Sequence, residues 1–533
     1  MLEFTRRWTL LVVLLSTSLI SGQTTISVPD DYDTIQDAID NAEDGDTIEV
    51  EAGLYVENVD FGGKTLALVG VDGAEETTIL GVDETLGPDM RSVITLSGGE
   101  GAGTRIEGFT IALGSGFTVV NSLGATTNLG GGIYAIDASL EVHDCTLEDN
   151  SAGAIYALDS TLVVDSCVVR NNNGRSGIEA GQNTELELVH STIEDNLGDL
   201  TGGGGLKLHA DTTSTIEDCV FSGNSSFFAG AAVIVSDADI ARTEFRENSG
   251  VSGAVLAGGS GGQSNITFTD CSFHGNNAAA GGAAILIDQS VCTLLRCSLY
   301  DNLGGQGGAF FTESSAELNL DRCTVANNTS LLGAGAIQIR EMPDMATSTI
   351  RVTDSILWGN GIDPLDESAG SIDVTYSNIE SSWPGVGNID EDPLFVDPDN
   401  GDFSLEVDSP SIDSGDPVET DPDGTVRDQG AFYFPQAPFF LRGDADGNGV
   451  VSPLLDSLAL LNWAFNGGLA PECEDAADVD DSGDISALTD SLALLLWGFG
   501  DQPPPPAPGP FECNLDPDPD ADGIGCETEP ECS

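Results

Sequence analysis

Nine asparagines mark a repeat that leaves this chain few ways to fold. Asn150, Asn172, Asn196, Asn224, Asn248, Asn276, Asn302, Asn328 and Asn360 recur at a spacing of about 26 residues. Three residues before each stands an apolar side chain: Leu147, Val169, Ile193, Phe221, Phe245, Phe273, Leu299, Val325 and Leu357. Eight before each stands another, from Val142 and Val164 through to Val352. Five before each lies a small residue, cysteine in six of the nine units and Ser191, Thr243 or Ser355 in the others. One such unit is too small to bury its own apolar positions. Stacked at the strand spacing of ~4.8 Å, the units turn those positions into continuous columns. Three short strands per turn account for the period, so the expected fold is all-β, a parallel β-helix solenoid. Asparagine suits a corner of such a coil, because it tolerates left-handed backbone and can hydrogen-bond its counterpart in the next coil.

After each asparagine comes a stretch of variable length and then a glycine-led apolar strand, as at 153–156, 230–233, 282–285, 308–311 and 335–338. Variable corners are where ligand contacts are expected. Six of the seven cysteines in this region sit in the small-residue column, and Cys292 starts its own strand. They read as small buried apolar residues rather than as metal ligands.

The glycine-led strands alternating with 221–224 (FSGN), 245–248 (FREN) and 273–276 (FHGN) resemble the repeats of chlamydial polymorphic outer-membrane adhesins. More broadly they resemble the pectin-lyase-like right-handed β-helices. Residues 28–40 and 45–55 look like that superfamily's amphipathic cap and first coil, and 392–397, 402–405 and 409–416 like its closing segment. The resemblance implies a right-handed helix over residues 23–437. It does not choose a function, because the superfamily contains lyases, hydrolases, esterases and adhesins.

The charge narrows the choice. With 89 acidic against 16 basic residues the formal net charge is −73, and Lys64 and Lys207 are the only lysines. Such a field repels nucleic acid and acidic polysaccharides and attracts cations. At the N-terminus, Arg6 and Arg7 precede an apolar run from Trp8 to Ile20 and small residues at Ser21 and Gly22. Residues 1–22 therefore read as a signal peptide, too short to span a bilayer comfortably, and the expected location is secreted or cell-surface.

No catalytic constellation stands out. The weak candidates are Asp137 and Asp159, stacked in near-identical segments 133–137 and 155–159, as glycoside hydrolysis needs two carboxylates. Each also precedes the next strand with the signature of a turn. The basic residues Arg170, Arg175, Lys207, Arg242, Arg246, Arg296, Arg322 and Arg340, and the histidines 143, 190, 209 and 274, read as scattered.

At Arg442 the repeat changes. Asp444, Asp446 and Asn448 are followed by Gly449 and Val451; thirty-four residues later Asp478, Asp480 and Ser482 are followed by Gly483 and Ile485. Oxygen donors at loop positions 1, 3 and 5, then glycine and an apolar residue, suit a Ca²⁺ loop. Position 7 falls at Val450 and Asp484, which complete the expected ligand sets with Asp456 and Asp490. Each loop leads into a helix, 456–465 and 490–499. The pair over 440–502 resembles a divergent type I dockerin module. It departs from that family at loop position 12, where Leu455 and Thr489 stand, the aspartates following at 13. The resemblance implies bound Ca²⁺ and, as a partner, a cohesin-like protein. Residues 503–533 form a proline-rich linker and a tail whose Cys513, Cys526 and Cys532 make four cysteines with Cys473, enough for two bridges. The expected function is a non-catalytic scaffold, adhesion or glycan-binding protein with a glycan or cell-envelope partner. The alternative is a polysaccharide-active enzyme, a hydrolase before a lyase.

Overall fold

The computed structural model describes residues 23–82, 92–120, 126–259, 263–340, 346–361, 363–366, 369–435, 441–448, 450–471, 473–480, 485–500 and 502–505. Residues 1–22, read from the sequence as a signal peptide, and Cys513, Cys526 and Cys532 lie outside them. The chain divides into two compact units, residues 1–266 and 267–533.

In the first unit, three parallel sheets form the sides of a coil. One turn runs through Ser139–His143 in the first sheet, Thr146–Glu148 in the second and Ile155–Leu158 in the third. The next turn pairs with it in register: Val142 with Val164, Leu147 with Val169, Ile155 with Ile178. The column Leu147, Val169, Ile193, Phe221 and Phe245 is fully buried. Each such side chain contributes roughly 1.5–3 kcal/mol on burial, and only a neighbouring coil can cover it. The helix α1 (Ile35–Asn41) lays Ile35, Ala38 and Ile39 against the first coil. Thr34 caps it, and the Glu57 carboxylate accepts the Ile35 and Gln36 N–H groups at 3.1 and 3.0 Å, a favourable charge for a helix N-terminus.

The second unit repeats the plan. Val291–Leu295, Ser298–Tyr300 and Phe310–Glu313 make one of its turns, and the ladder ends at Ile379. An antiparallel pair, Phe395–Asp397 with Asp402–Leu405, follows. The closing segment is held by Arg427, which donates to buried Asp354 at 2.8 Å, and by the Ala431 N–H on Thr324 Oγ1 at 3.0 Å.

Corners correct one expectation. The asparagines are not themselves left-handed; the residue before each is. Asp149, Asn171, Asp195 and Glu247 have φ between 52° and 56°, and Gly223 has 63°. The asparagines instead form a buried ladder. Asn172 Oδ1 accepts the Asn150 backbone N–H at 3.0 Å and its Nδ2 at 2.9 Å, while Asn150 Nδ2 also donates to Ile111 O. Asn196, Asn224 and Asn248 continue it in the first unit, and Asn276, Asn302, Asn328 and Asn360 are bonded in the same way in the second. The cysteine column also differs from a purely apolar reading. The Cys167 N–H donates to Ser191 Oγ, Cys271 N–H to Cys297 Sγ and Cys323 N–H to Ser355 Oγ. Thiols and hydroxyls are interchangeable here because each bridges backbone groups of adjacent coils. The six cysteines of this column and Cys292 are free thiols.

The duplicated segment folds as helices α2 (Pro453–Asn466), α3 (Glu474–Ala477) and α4 (Ala487–Phe499). α2 and α4 pack together over Leu460, Leu494, Val479 and Ala487. Ser457 Oγ donates to Ser491 O at 3.0 Å and Ser491 Oγ to Ser457 O at 3.1 Å, so the sequence duplication is also a reciprocal contact. Cys473 is disulfide-bonded, with its partner outside the described residues. Among the described residues no helix is long and apolar enough to cross a membrane.

Candidate metal centres and a buried ion network

The duplication sets up two carboxylate triads. Asp444, Asp446 and Asp456 place one oxygen each within 4.8 Å of one another, and so do Asp478, Asp480 and Asp490. The loop aspartates come from the turns before each helix; Asp456 and Asp490 come from the first turns of α2 and α4. The aspartate at position 13, not the residue at position 12, joins each loop's carboxylates, since the helix start brings it back over the loop. Asp456 accepts the Ser452 N–H at 2.6 Å and the Asp446 N–H at 3.2 Å. Asp490 accepts the Ser486 N–H at 2.7 Å and the Val479 N–H at 2.9 Å. Both are fully buried.

Their electrostatics follow from that burial. Desolvation raises the Asp456 carboxyl to about 7 against the pull of the Ser452 and Asp446 N–H groups, with the Asp446 and Asp444 charges adding to the rise. Asp490 is raised to about 6 by burial, the Ser486 N–H opposing and the Asp480 and Asp478 charges adding. Three carboxylates around one point, one of them buried, are a poor arrangement alone and a good one around a hard cation. Asn448 turns its oxygen to the Val450 N–H at 3.0 Å, and its own N–H donates to Asp444 at 3.1 Å. Ser482 and Asp484 lie outside the described residues.

Asp137 and Asp159 occupy left-handed corners between the third and first sheets, both with φ 51°. The Asp159 carboxylate accepts from Asn183 Nδ2 at 2.8 Å, and Asn183 holds the same corner of the next coil with φ 55°. Their placement is that of turn residues.

A different group converges where the sequence read as scattered. Glu179, 2% exposed, faces outward from Ile178–Ala180 in the third sheet, in register with Tyr156 on one side and Lys207 on the other. Arg175 Nε donates to Glu179 at 2.8 Å, His209 Nε2 lies 2.7 Å away and Lys207 Nζ 3.8 Å. Arg175 also reaches Asp199 at 3.3 Å. Burial pushes the Glu179 carboxyl up, but the His209 hydrogen bond and the Arg175 charge outweigh it and hold the group at about 2. Burial and the Glu179 charge push Tyr156 up to about 12. Register carried the missed signal: Tyr134, Tyr156, Glu179 and Lys207 hold one outward position on successive strands. By contrast Arg242 and Arg246, neighbours in sequence, engage separate carboxylates, Asp218 with Glu217 and Glu244.

A family model described as the right handed beta helix region matches residues 131–290 and 233–382. No curated protein matches the chain in sequence. Among solved structures, the A-module of the Azotobacter vinelandii mannuronan C-5 epimerase AlgE6 is 14% identical, covering 65% of this chain and 94% of its own, with a TM-score of 0.41. The A-module of the AlgE4 epimerase from the same organism is 15% identical over 66% and 94%, with a TM-score of 0.37. A family 28 exopolygalacturonase of Yersinia enterocolitica is 13% identical over 67% and 78%, with a TM-score of 0.33.

Proposed function

We propose that this chain is an exported scaffold that displays a right-handed parallel β-helix at or near the cell surface and is completed by Ca²⁺ in its C-terminal module. The pair of aspartate triads carries this reading. Asp444, Asp446 and Asp456 would hold one ion, with Asn448 and the Val450 carbonyl beside them. Asp478, Asp480 and Asp490 would hold the second, with Ser482 and Asp484. Ca²⁺ supplies the positive charge that lets Asp456 and Asp490 stay ionised while buried, and so ties each loop to the helix it precedes. The module's partner on this reading is the cell envelope or a cohesin-like protein. The 1–22 segment supplies export.

The most buried carboxylate of the third-sheet cluster is not placed to act as a general acid. A general acid must hold its proton near neutral pH; Glu179, drawn down to about 2, is spent on Arg175 and His209 instead. The test is thermal unfolding of the mature chain, followed by circular dichroism, with Ca²⁺ and with a chelator. Ca²⁺ should raise the midpoint of the helical module's transition, and the variant Asp456→Asn/Asp490→Asn should lose that response. An unchanged midpoint in the wild type would rule the reading out.

A further inference from the structure

We infer that an acidic groove beside the third sheet of the second unit holds lysine or arginine side chains on an extended segment of a partner protein. Leu332, Gln338, Asp363, Leu365, Asp366 and Trp383 line one cavity there, of about 660 Å³. A second cavity of about 310 Å³ shares Gly333 and Asp363 with it, so the two adjoin. Register accounts for part of this convergence. Ile337–Arg340 pairs with Leu365–Asp366, which sets Gln338 beside Asp366. Asp363 comes from the turn before that last strand, and Trp383 from the turn after Asn378–Ile379. The groove goes beyond the calcium reading and does not depend on it.

Its walls are tied down by the protein itself. Asp363 O accepts the Gly335 N–H and Pro364 O the Ala336 N–H, both at 3.0 Å. Ser330 Oγ accepts the Gly333 N–H at 2.9 Å, and Gln338 Oε1 accepts the Ala334 N–H at 3.0 Å. Gln338 Nε2 in turn donates to the Asp366 carboxylate. On the opposite wall, Asn388 Nδ2 donates to Trp383 O at 3.2 Å and to Val374 O at 3.0 Å, which joins the Trp383 turn to the last coil. Walls fixed before a ligand arrives lower the ordering cost of binding.

The lining selects the ligand. It combines two aspartates with an indole, and no lysine, arginine or histidine lines either cavity. Arg340, two positions beyond Gln338, is engaged by Glu313. Carboxylates hold an ammonium or guanidinium by charge-assisted hydrogen bonds, and an indole face adds a cation–π contact. Leu332, 85% exposed, and Leu365 offer apolar surface to the methylene stem of such a side chain. The formal charge of −73 draws a cationic partner in and opposes an anionic one. The adjoining cavity and Leu331, 66% exposed, give the peptide on either side of that residue somewhere to lie. A small free cation needs neither.

The experiment is fluorescence anisotropy of a labelled peptide of alternating lysine and serine, titrated with the mature chain at physiological salt to screen the diffuse acidic surface. The lysine peptide should bind saturably, and analogues with norleucine or glutamate in place of lysine should not. Trp383→Ala and Asp363→Asn should each weaken binding about fivefold or more, while Trp383→Phe, which keeps a ring face, should retain most of it. Asp363 is exposed, so Asp363→Asn decides the matter if Trp383→Ala lowers the unfolding midpoint. Glu75→Gln/Glu76→Gln removes charge from an exposed site in the first unit and should change binding less than about twofold. No saturable binding, equal binding of the norleucine analogue, or a loss in this control that matches the groove variants would each overturn the inference. So would tighter binding of spermine than of the peptide, or binding that survives Asp363→Asn. The calcium reading fails separately, because its readout is the unfolding midpoint of the C-terminal module and not this signal.

Discussion

Each asparagine of the ladder is a buried amide that satisfies backbone groups of two coils at once. Asn196 donates to Val169 O and to Asn224 Oδ1, and its own oxygen accepts from Asn172. Removing it strands several buried polar groups, each costing about 1–3 kcal/mol. Asn196→Ala should therefore destabilise the first unit by about 3 kcal/mol or more, measured by chemical denaturation, whereas an apolar-core reading would give a small effect. The cysteine column makes a paired prediction. Cys297→Ser keeps an acceptor for the Cys271 N–H and should cost under about 1 kcal/mol, while Cys297→Val orphans that N–H and should cost about 1–3 kcal/mol. The alternation of cysteine with Ser191, Thr243 and Ser355 was visible in the sequence, yet composition alone does not say that a thiol is bonding rather than filling. The left-handed position one residue before each asparagine was also unread, because aspartate, glutamate, asparagine and glycine share it. What those residues have in common is a backbone angle, which no single side chain announces.

At the scale of elements, α2 and α4 depend on their loops for electrostatic reasons. Asp456 and Asp490 have folded values of about 7 and 6, above the ordinary 3.8 of an unfolded aspartate. Between those limits the folded state holds protons that the unfolded state has released, so without metal its stability should fall as pH rises from about 4 to 7. With saturating Ca²⁺ the metal takes the protons' place, and acidification should instead weaken the module. Melts of the helical signal across that range, with and without chelator, distinguish the two slopes; identical slopes would contradict the assignment. Glu179 behaves oppositely. Its folded value of about 2 lies below the ordinary 4.5, so its contribution is present above that ordinary value and is lost as pH falls towards 2. The loop aspartates of the two triads were legible from spacing, since positions 1, 3 and 5 recur thirty-four residues apart. The fit of a position-13 aspartate was not, because it depends on how the helix start folds back over the loop. The Arg175, Glu179, Lys207 and His209 group was illegible for a related reason. Its members lie on different coils, and only the strand register brings them to one point.

For the molecule as a whole, the repeat dictated the architecture because a 26-residue unit has no other way to bury its apolar columns. Function is less determined by that plan, since a coil's outward positions are nearly independent of its inward ones. The account makes the β-helix a display surface and the C-terminal module a cation-dependent unit, and the second claim is the sharper. Isothermal titration of the mature chain with Ca²⁺, at physiological salt and in excess Mg²⁺ to mask the diffuse acidic surface, tests it directly. The account predicts two saturable sites per chain, proton release on binding near pH 6, and loss of one site each in Asp456→Asn and Asp490→Asn. Heat that is unsaturable, or two sites that persist in both variants, would contradict it.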